Sequence, residues 1–95
     1  MQITPLHTSV EKLIALKKGT IVMEGSNGFP VGESNLYMLA PNGDLLWKAE
    51  KPTPDTLFTK LKLNEDASIS TFTNHGQFCE IDIETGKIVS SSDFR

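Results

Sequence analysis

Apolar and polar residues alternate along most of the chain, in short runs separated by turn-forming residues. Alternation with a period of two is typical of β-strands that bury one face. A helix over residues 9–18 is the local alternative, since Glu11, Lys12 and Leu16 all tolerate helical backbone. The alternation predicts strands at residues 10–16, 20–24, 35–40, 44–49, 57–63, 68–73, 77–83 and 87–91.

Turn residues indicate how these strands are connected. Asn42 and Gly43 separate the third and fourth predicted strands, and both tolerate the positive φ that a tight hairpin requires. Residues 51–55 contain two prolines, which remove backbone donors and end the first group of strands. We therefore predict two antiparallel meanders of four strands each.

The spacing of similar residues indicates an internal repeat. Gly43 and Gly86 lie 43 positions apart, and Leu39 and Ile81 lie 42 positions apart. A four-stranded repeat of about 40–45 residues has the size of a β-propeller blade. We expect an all-β protein of one domain, residues 1–95, with propeller-blade-like repeats at about 9–50 and 56–92. The two sheets would pack as a sandwich or be assembled by oligomerisation.

Two segments carry a likeness to a known family. Residues 34–50 (SNLYMLAPNGDLLWKAE) contain a Tyr-x-Leu strand, a Gly turn and a strand that reaches Trp47. Residues 76–93 (GQFCEIDIETGKIVSSSD) contain an Asp-x-x-Thr-Gly-Lys turn. Both segments resemble the blade repeat of quinoprotein-type (pyrroloquinoline-quinone-like) β-propellers. The resemblance implies blade-like sheets and a packing role for Tyr37 and Trp47.

The chain also departs from that family. Ser90 or Ser91 stands where the second repeat would carry the family's tryptophan. Two repeats cannot close a ring, since propellers have typically about four to eight blades. The clustered catalytic residues and the metal site of quinone-dependent dehydrogenases have no match, so we expect no cofactor.

The two predicted sheets differ in their faces. In the first sheet Met38 and Tyr37 point to opposite faces, and both faces are apolar. In the second, Phe58, Lys60 and Lys62 share one face, while Leu57, Leu61 and Leu63 share the other. The first sheet therefore needs a second cover. That cover is either another chain or residues 1–9 and the loop 25–34 folded back.

Composition narrows the class of protein. The chain is 38% apolar and 22% charged, as expected for a globular protein, and its net charge of −3 argues against nucleic-acid binding. No apolar run approaches the roughly 20 residues of a membrane helix. The single cysteine, Cys79, cannot form an internal disulfide, which favours a cytoplasmic location.

Few residues suggest chemistry. His7 and His75 are isolated, and the acidic residues lack the spacing of a calcium loop, so we predict no metal site and no catalytic residues. The loop 25–34 contains three glycines, whose backbone N–H groups are able to bind a ligand. The candidate binding residues are Gly25, Asn27, Gly28, Phe29, Tyr37 and Trp47.

These observations predict a protein that binds rather than catalyses. The leading hypothesis is a non-catalytic protein-interaction or regulatory module that binds a protein partner, itself, or both. The alternative is a small-ligand or carbohydrate-binding protein that uses Tyr37, Trp47 and the glycine-rich loop.

Overall fold

The computed structural model describes residues 5–66 and 68–93, and these residues form eight β-strands and no helix. The strands form two antiparallel four-stranded sheets, in which each strand pairs with the next one along the chain. Sheet 1 has the order β1-β2-β3-β4 and sheet 2 the order β5-β6-β7-β8. Their bounds are β1 Val10–Leu16, β2 Gly19–Glu24, β3 Leu36–Leu39, β4 Leu45–Lys48, β5 Phe58–Leu63, β6 Ser68–Thr73, β7 Gln77–Asp82 and β8 Ile88–Asp93.

The predicted fold class is confirmed, and each observed strand begins and ends within two residues of its predicted bounds. The helical alternative for residues 9–18 is wrong, because β1 pairs with β2 from Leu16 opposite Gly19 to Val10 opposite Glu24. Gly19 lies at the turn of this hairpin, in a position where a side chain would not fit. A Cβ placed there would lie 2.1 Å from the Leu39 carbonyl oxygen.

The hydrophobic core lies between the two sheets. Ile21, Met38 and Trp47 are aligned across β2, β3 and β4 by the strand register, so their side chains share one face of sheet 1. Ile69 and Ile81 are aligned in the same way across β6 and β7. These side chains belong to one buried cluster. Because both sheets contribute to that cluster, they pack face to face, as the sandwich-like prediction requires.

Polar contacts also join the sheets. The Trp47 Nε1–H donates to the Ile83 carbonyl oxygen at 2.7 Å. The ring of Trp47 lies so close to the Gly86 turn that a Cβ on Gly86 would be 2.6 Å from it. The buried side chain of Asn35 donates to the carbonyl oxygens of Glu24 and Phe58, at 2.7 and 2.8 Å. These contacts fix sheet 1 on sheet 2.

One face assignment from the sequence is wrong. Strict alternation puts Phe58 with Lys60 and Lys62, yet Phe58 is buried in the core and both lysines are exposed. A register shift between Phe58 and Lys60 leaves Thr59 as an extra residue in β5. This β-bulge turns Phe58 to the same face as Leu61, which is also buried.

Sheet 1 is buried on both faces over part of its area, as predicted. Val22 and Tyr37 lie opposite each other in the register, on the face that points away from sheet 2. Both side chains are nonetheless fully buried. We call this the outer face of sheet 1, and the segments that cover it define the candidate site. Residues 1–4 of the predicted cover lie outside the described residues.

Candidate functional site

A short segment, residues 5–9, crosses the outer face of sheet 1, and we call it the N-terminal strap. It is held by Glu24, a fully buried carboxylate at the end of β2. The Leu6 and Thr8 backbone N–H groups donate to this carboxylate at 2.5 and 2.9 Å. The His7 N–H donates at 3.1 Å and the Tyr37 hydroxyl at 2.5 Å. One charged side chain thus satisfies three successive backbone amides and a buried phenol.

The electrostatics of this cluster favour the ionised carboxylate. Burial raises the pKa of Glu24, but the hydrogen bonds from Tyr37 and from the strap amides outweigh burial and lower the pKa to about 2. Burial, reinforced by the bond to Glu24, raises the pKa of Tyr37 well above its ordinary value. Glu24 is therefore charged, and Tyr37 neutral, at neutral pH.

The loop 25–34 lies beside the strap. Phe29 is buried, and its ring meets the His7 ring edge-on, with the centroids 5.0 Å apart. Glu33 contacts His7 at 3.1 Å and Lys48 at 3.4 Å. The hydrogen bond from His7, with a smaller effect of Lys48, lowers the pKa of Glu33. The Lys51 ammonium donates to the Val31 and Glu33 carbonyl oxygens, at 2.6 and 3.0 Å. The loop is therefore tied to its surroundings at several points.

The predicted binding residues of this loop have different environments. The Gly25 N–H donates to the Ser9 carbonyl oxygen at 2.9 Å, so it is already engaged with the strap. Asn27 and Gly28 are exposed at the loop tip, whereas Phe29 packs inward. Gly28 adopts a φ of 87°, which favours glycine at this position.

Tyr37 and Trp47, the two remaining candidates, do not share a surface. Trp47 is aligned with Met38 and faces sheet 2, while Tyr37 is aligned with Lys48 and faces outward. Both rings are buried. A single ligand therefore cannot stack on both rings in this structure.

Beyond the strap, the outer face of sheet 1 exposes a stripe of leucines. Leu39 of β3 is aligned with Leu45 of β4, and a register shift places Leu46 beside them. Leu13 of β1 lies on the same face, opposite Val22. Leu13, Leu45 and Leu46 are 48%, 47% and 50% exposed. We call Leu13, Leu39, Leu45 and Leu46 the leucine stripe, although Leu13 lies one row away from Leu39 and Leu45 in the register.

Other candidates from the sequence do not come together. Cys79 is buried in β7. Within residues 5–66 and 68–93, no three His, Cys, Asp or Glu side chains are grouped as metal ligands would be. The same residues form no helix long and apolar enough to span a membrane. Comparison of the chain with family models, curated proteins and solved structures finds no match.

Two features of the site were missed by sequence reasoning. Glu24 continues the alternation of Thr20 and Val22, which places it on a face that the sequence predicts to be apolar. That conflict was the available signal for a buried charge. The leucine stripe was hidden because Leu45 and Leu46 are adjacent, and only the register shift in β4 brings both beside Leu39.

Proposed function

We propose that this protein is a non-catalytic binding module that associates with a second copy of itself through the leucine stripe. The observation that carries the proposal is the exposure of Leu13, Leu45 and Leu46 on one face. Burying the exposed half of a leucine side chain contributes about 1 kcal/mol. Several such side chains, covered together, favour association.

The arrangement of the stripe supports a second copy as the occupant. Leu13 lies on β1 and Leu45 on β4, the two edge strands of sheet 1. A two-fold axis parallel to the strands places the β1 edge of one copy over the β4 edge of the other and keeps each row over itself, so that Leu45 meets Ala15 and Leu39 meets Thr20, while Leu13 lies over Lys48. Ala15 and Thr20, which lie in the same row as Leu39, are uncharged. This row is therefore complementary to itself, and Lys48 in the next row pairs with Glu33 at 3.4 Å.

Two further expectations belong to this proposal. The blade-like character of the repeats is supported by their identical strand order and by the packing of Trp47 on the Gly86 turn. A cytoplasmic location is supported by the sequence, which contains a single cysteine, whereas proteins of oxidising compartments often contain pairs of cysteines that form disulfides.

Sedimentation equilibrium tests the association. The expected mass is twice the 10.5 kDa of one chain. The double variant Leu45→Ser/Leu46→Ser is expected to sediment as a monomer while keeping the far-UV circular dichroism of the wild type. Val89→Ser is the matched control, because Val89 is 63% exposed on sheet 2 and outside the stripe, and it is expected to stay dimeric. A wild-type protein that remains monomeric at every concentration would contradict the proposal.

A further inference from the structure

The outer face of sheet 2 combines aromatic rings with lysines. The register aligns Lys60, Phe72, Phe78 and Ser92 in one row across the four strands. The Phe72 and Phe78 rings meet edge-to-face, with their centroids 5.3 Å apart and an angle of 62°. Phe72 is 37% exposed although it lies on a central strand. Two phenyl rings on central strands form an apolar floor that opens to solvent.

This face contains an open hollow of about 380 Å³. Its volume falls within the range of about 300–1,000 Å³ typical of small-molecule sites. One end is ordered by a reciprocal contact between Asn64 and Ser70, in which each side chain donates to the other, at 2.8 and 3.1 Å. The lining residues are Lys60, Leu61, Lys62, Asn64, Ser70, Phe72 and Phe78.

The charges around the hollow favour a small anionic ligand. Lys60 and Lys62 are exposed, and neither forms a salt bridge with another described residue. Their ammonium groups are able to pair with an anion while a planar ring packs on Phe72. Glu80 lies in the next row, beside Ser70, and the net charge is −3. A long polyanion would meet this repulsion, whereas a compact anion at the lysine edge would not.

We propose that the Phe72–Phe78 hollow binds a small organic anion that carries a planar ring, such as a nucleoside monophosphate or an aromatic carboxylate. The ring lies on the phenylalanines and the anionic group meets Lys60 and Lys62. This site is on sheet 2 and does not depend on the leucine stripe of sheet 1.

Titration of the ¹⁵N-labelled protein with adenosine monophosphate, and separately with phenylacetate, tests the proposal. At least one probe is expected to shift the amide signals of residues 60–62, 70–72 and 78–80. The two probes distinguish a phosphate on a nucleoside from a carboxylate on a simple ring. Lys60→Gln/Lys62→Gln is expected to weaken that binding severalfold, since it removes both cations that pair with the anionic group.

Two further variants separate the ring from the charge. Phe72→Leu keeps the site apolar but removes the planar surface, and it is expected to weaken binding severalfold. Lys17→Gln removes an exposed lysine of the β1–β2 turn and is expected to leave binding unchanged. The proposal fails if neither probe shifts these amides, if the shifts fall on sheet 1 instead, or if the double lysine variant binds as tightly as the wild type.

Discussion

Replacement of the buried Glu24 by glutamine tests the physical account of the strap. One carboxylate oxygen accepts from the backbone N–H groups of His7 and Thr8, and the other from Leu6 N–H and the Tyr37 hydroxyl. Glutamine offers one acceptor oxygen and an NH₂ group that only donates. With the NH₂ group towards His7 and Thr8, two backbone donors lose their acceptor; in the other orientation Leu6 N–H loses its acceptor, while the Tyr37 hydroxyl is able to turn and accept from the NH₂.

The expected loss of stability is about 3 kcal/mol, and two ways of weighing the same hydrogen bonds lead to it. A buried donor without a partner costs about 1–3 kcal/mol, and one or two donors are affected, depending on the orientation of the amide. The pKa of Glu24 falls from 4.5 to about 2 on folding. At about 1.4 kcal/mol for each pKa unit, that shift also corresponds to about 3 kcal/mol.

Urea unfolding followed by Trp47 fluorescence measures this loss. With a urea m-value of about 1–3 kcal/mol/M, the midpoint is expected to fall by about 1–3 M at pH 7. Because the folded state has the lower pKa, the stabilisation is fully present above pH 4.5 and is lost as the pH falls towards 2. The difference between wild type and Glu24→Gln should therefore shrink over that window.

The matched control is Glu65→Gln, in an exposed turn, which is expected to change stability by less than about 0.5 kcal/mol. The account of Glu24 would be refuted by a Glu24→Gln protein as stable as the wild type at pH 7. It would equally be refuted by a difference between the two proteins that stays constant from pH 7 to pH 2.

Two further predictions concern the contacts between the sheets, and each has its own control. Gly86→Ala is expected to lower the free energy of unfolding by about 3 kcal/mol, because φ is 75° and the new Cβ would collide with the Trp47 ring. Its control is Gly43→Ala, where φ is 95° but the surrounding space is open, and the expected loss is about 1 kcal/mol. Asn35→Ala is expected to lower the free energy of unfolding by about 3 kcal/mol, because it leaves the buried N–H and carbonyl groups of Phe58 unpaired. Its control is Asn42→Ala, in an exposed turn, where the expected loss is less than about 1 kcal/mol. Urea midpoints of all four variants at pH 7 check both; equal losses within either pair would contradict the inter-sheet role.

The strand order follows from local signals in the sequence. Asn42 and Gly43 predict a hairpin because their backbone accommodates positive φ, and Gly43 indeed adopts a φ of 95°. The face of Phe58 was not predictable in the same way. The bulge at Thr59 depends on how β5 pairs with β6, and a single strand's alternation contains no information about its partner's register.

The candidate site was harder to predict than the fold, for a chemical reason. The main partners of Glu24 are backbone amides of the strap, and backbone amides leave no signature in a sequence. Tyr37 could be selected as an aromatic residue, but the face of sheet 1 on which it lies depends on its pairing with Lys48 of β4. Interactions between side chains at characteristic spacings can be predicted from a sequence. A carboxylate that accepts hydrogen bonds from the backbone of a distant segment can be identified only once the fold is known.

The contacts between the sheets also explain why we propose a closed dimer rather than a longer stack. Sheet 1 joins sheet 2 through Trp47, whose ring packs on the Gly86 turn. Forty-three positions later, the repeat places the exposed Ser90, whose small side chain cannot reach a third sheet in that way. On the other side, the strap bound to Glu24 occupies part of the outer face of sheet 1. Neither outward face therefore repeats the contact that joins the two sheets. In the proposed dimer the second copy therefore uses a different surface, the leucine stripe, and a two-fold arrangement of that surface would close the assembly at two.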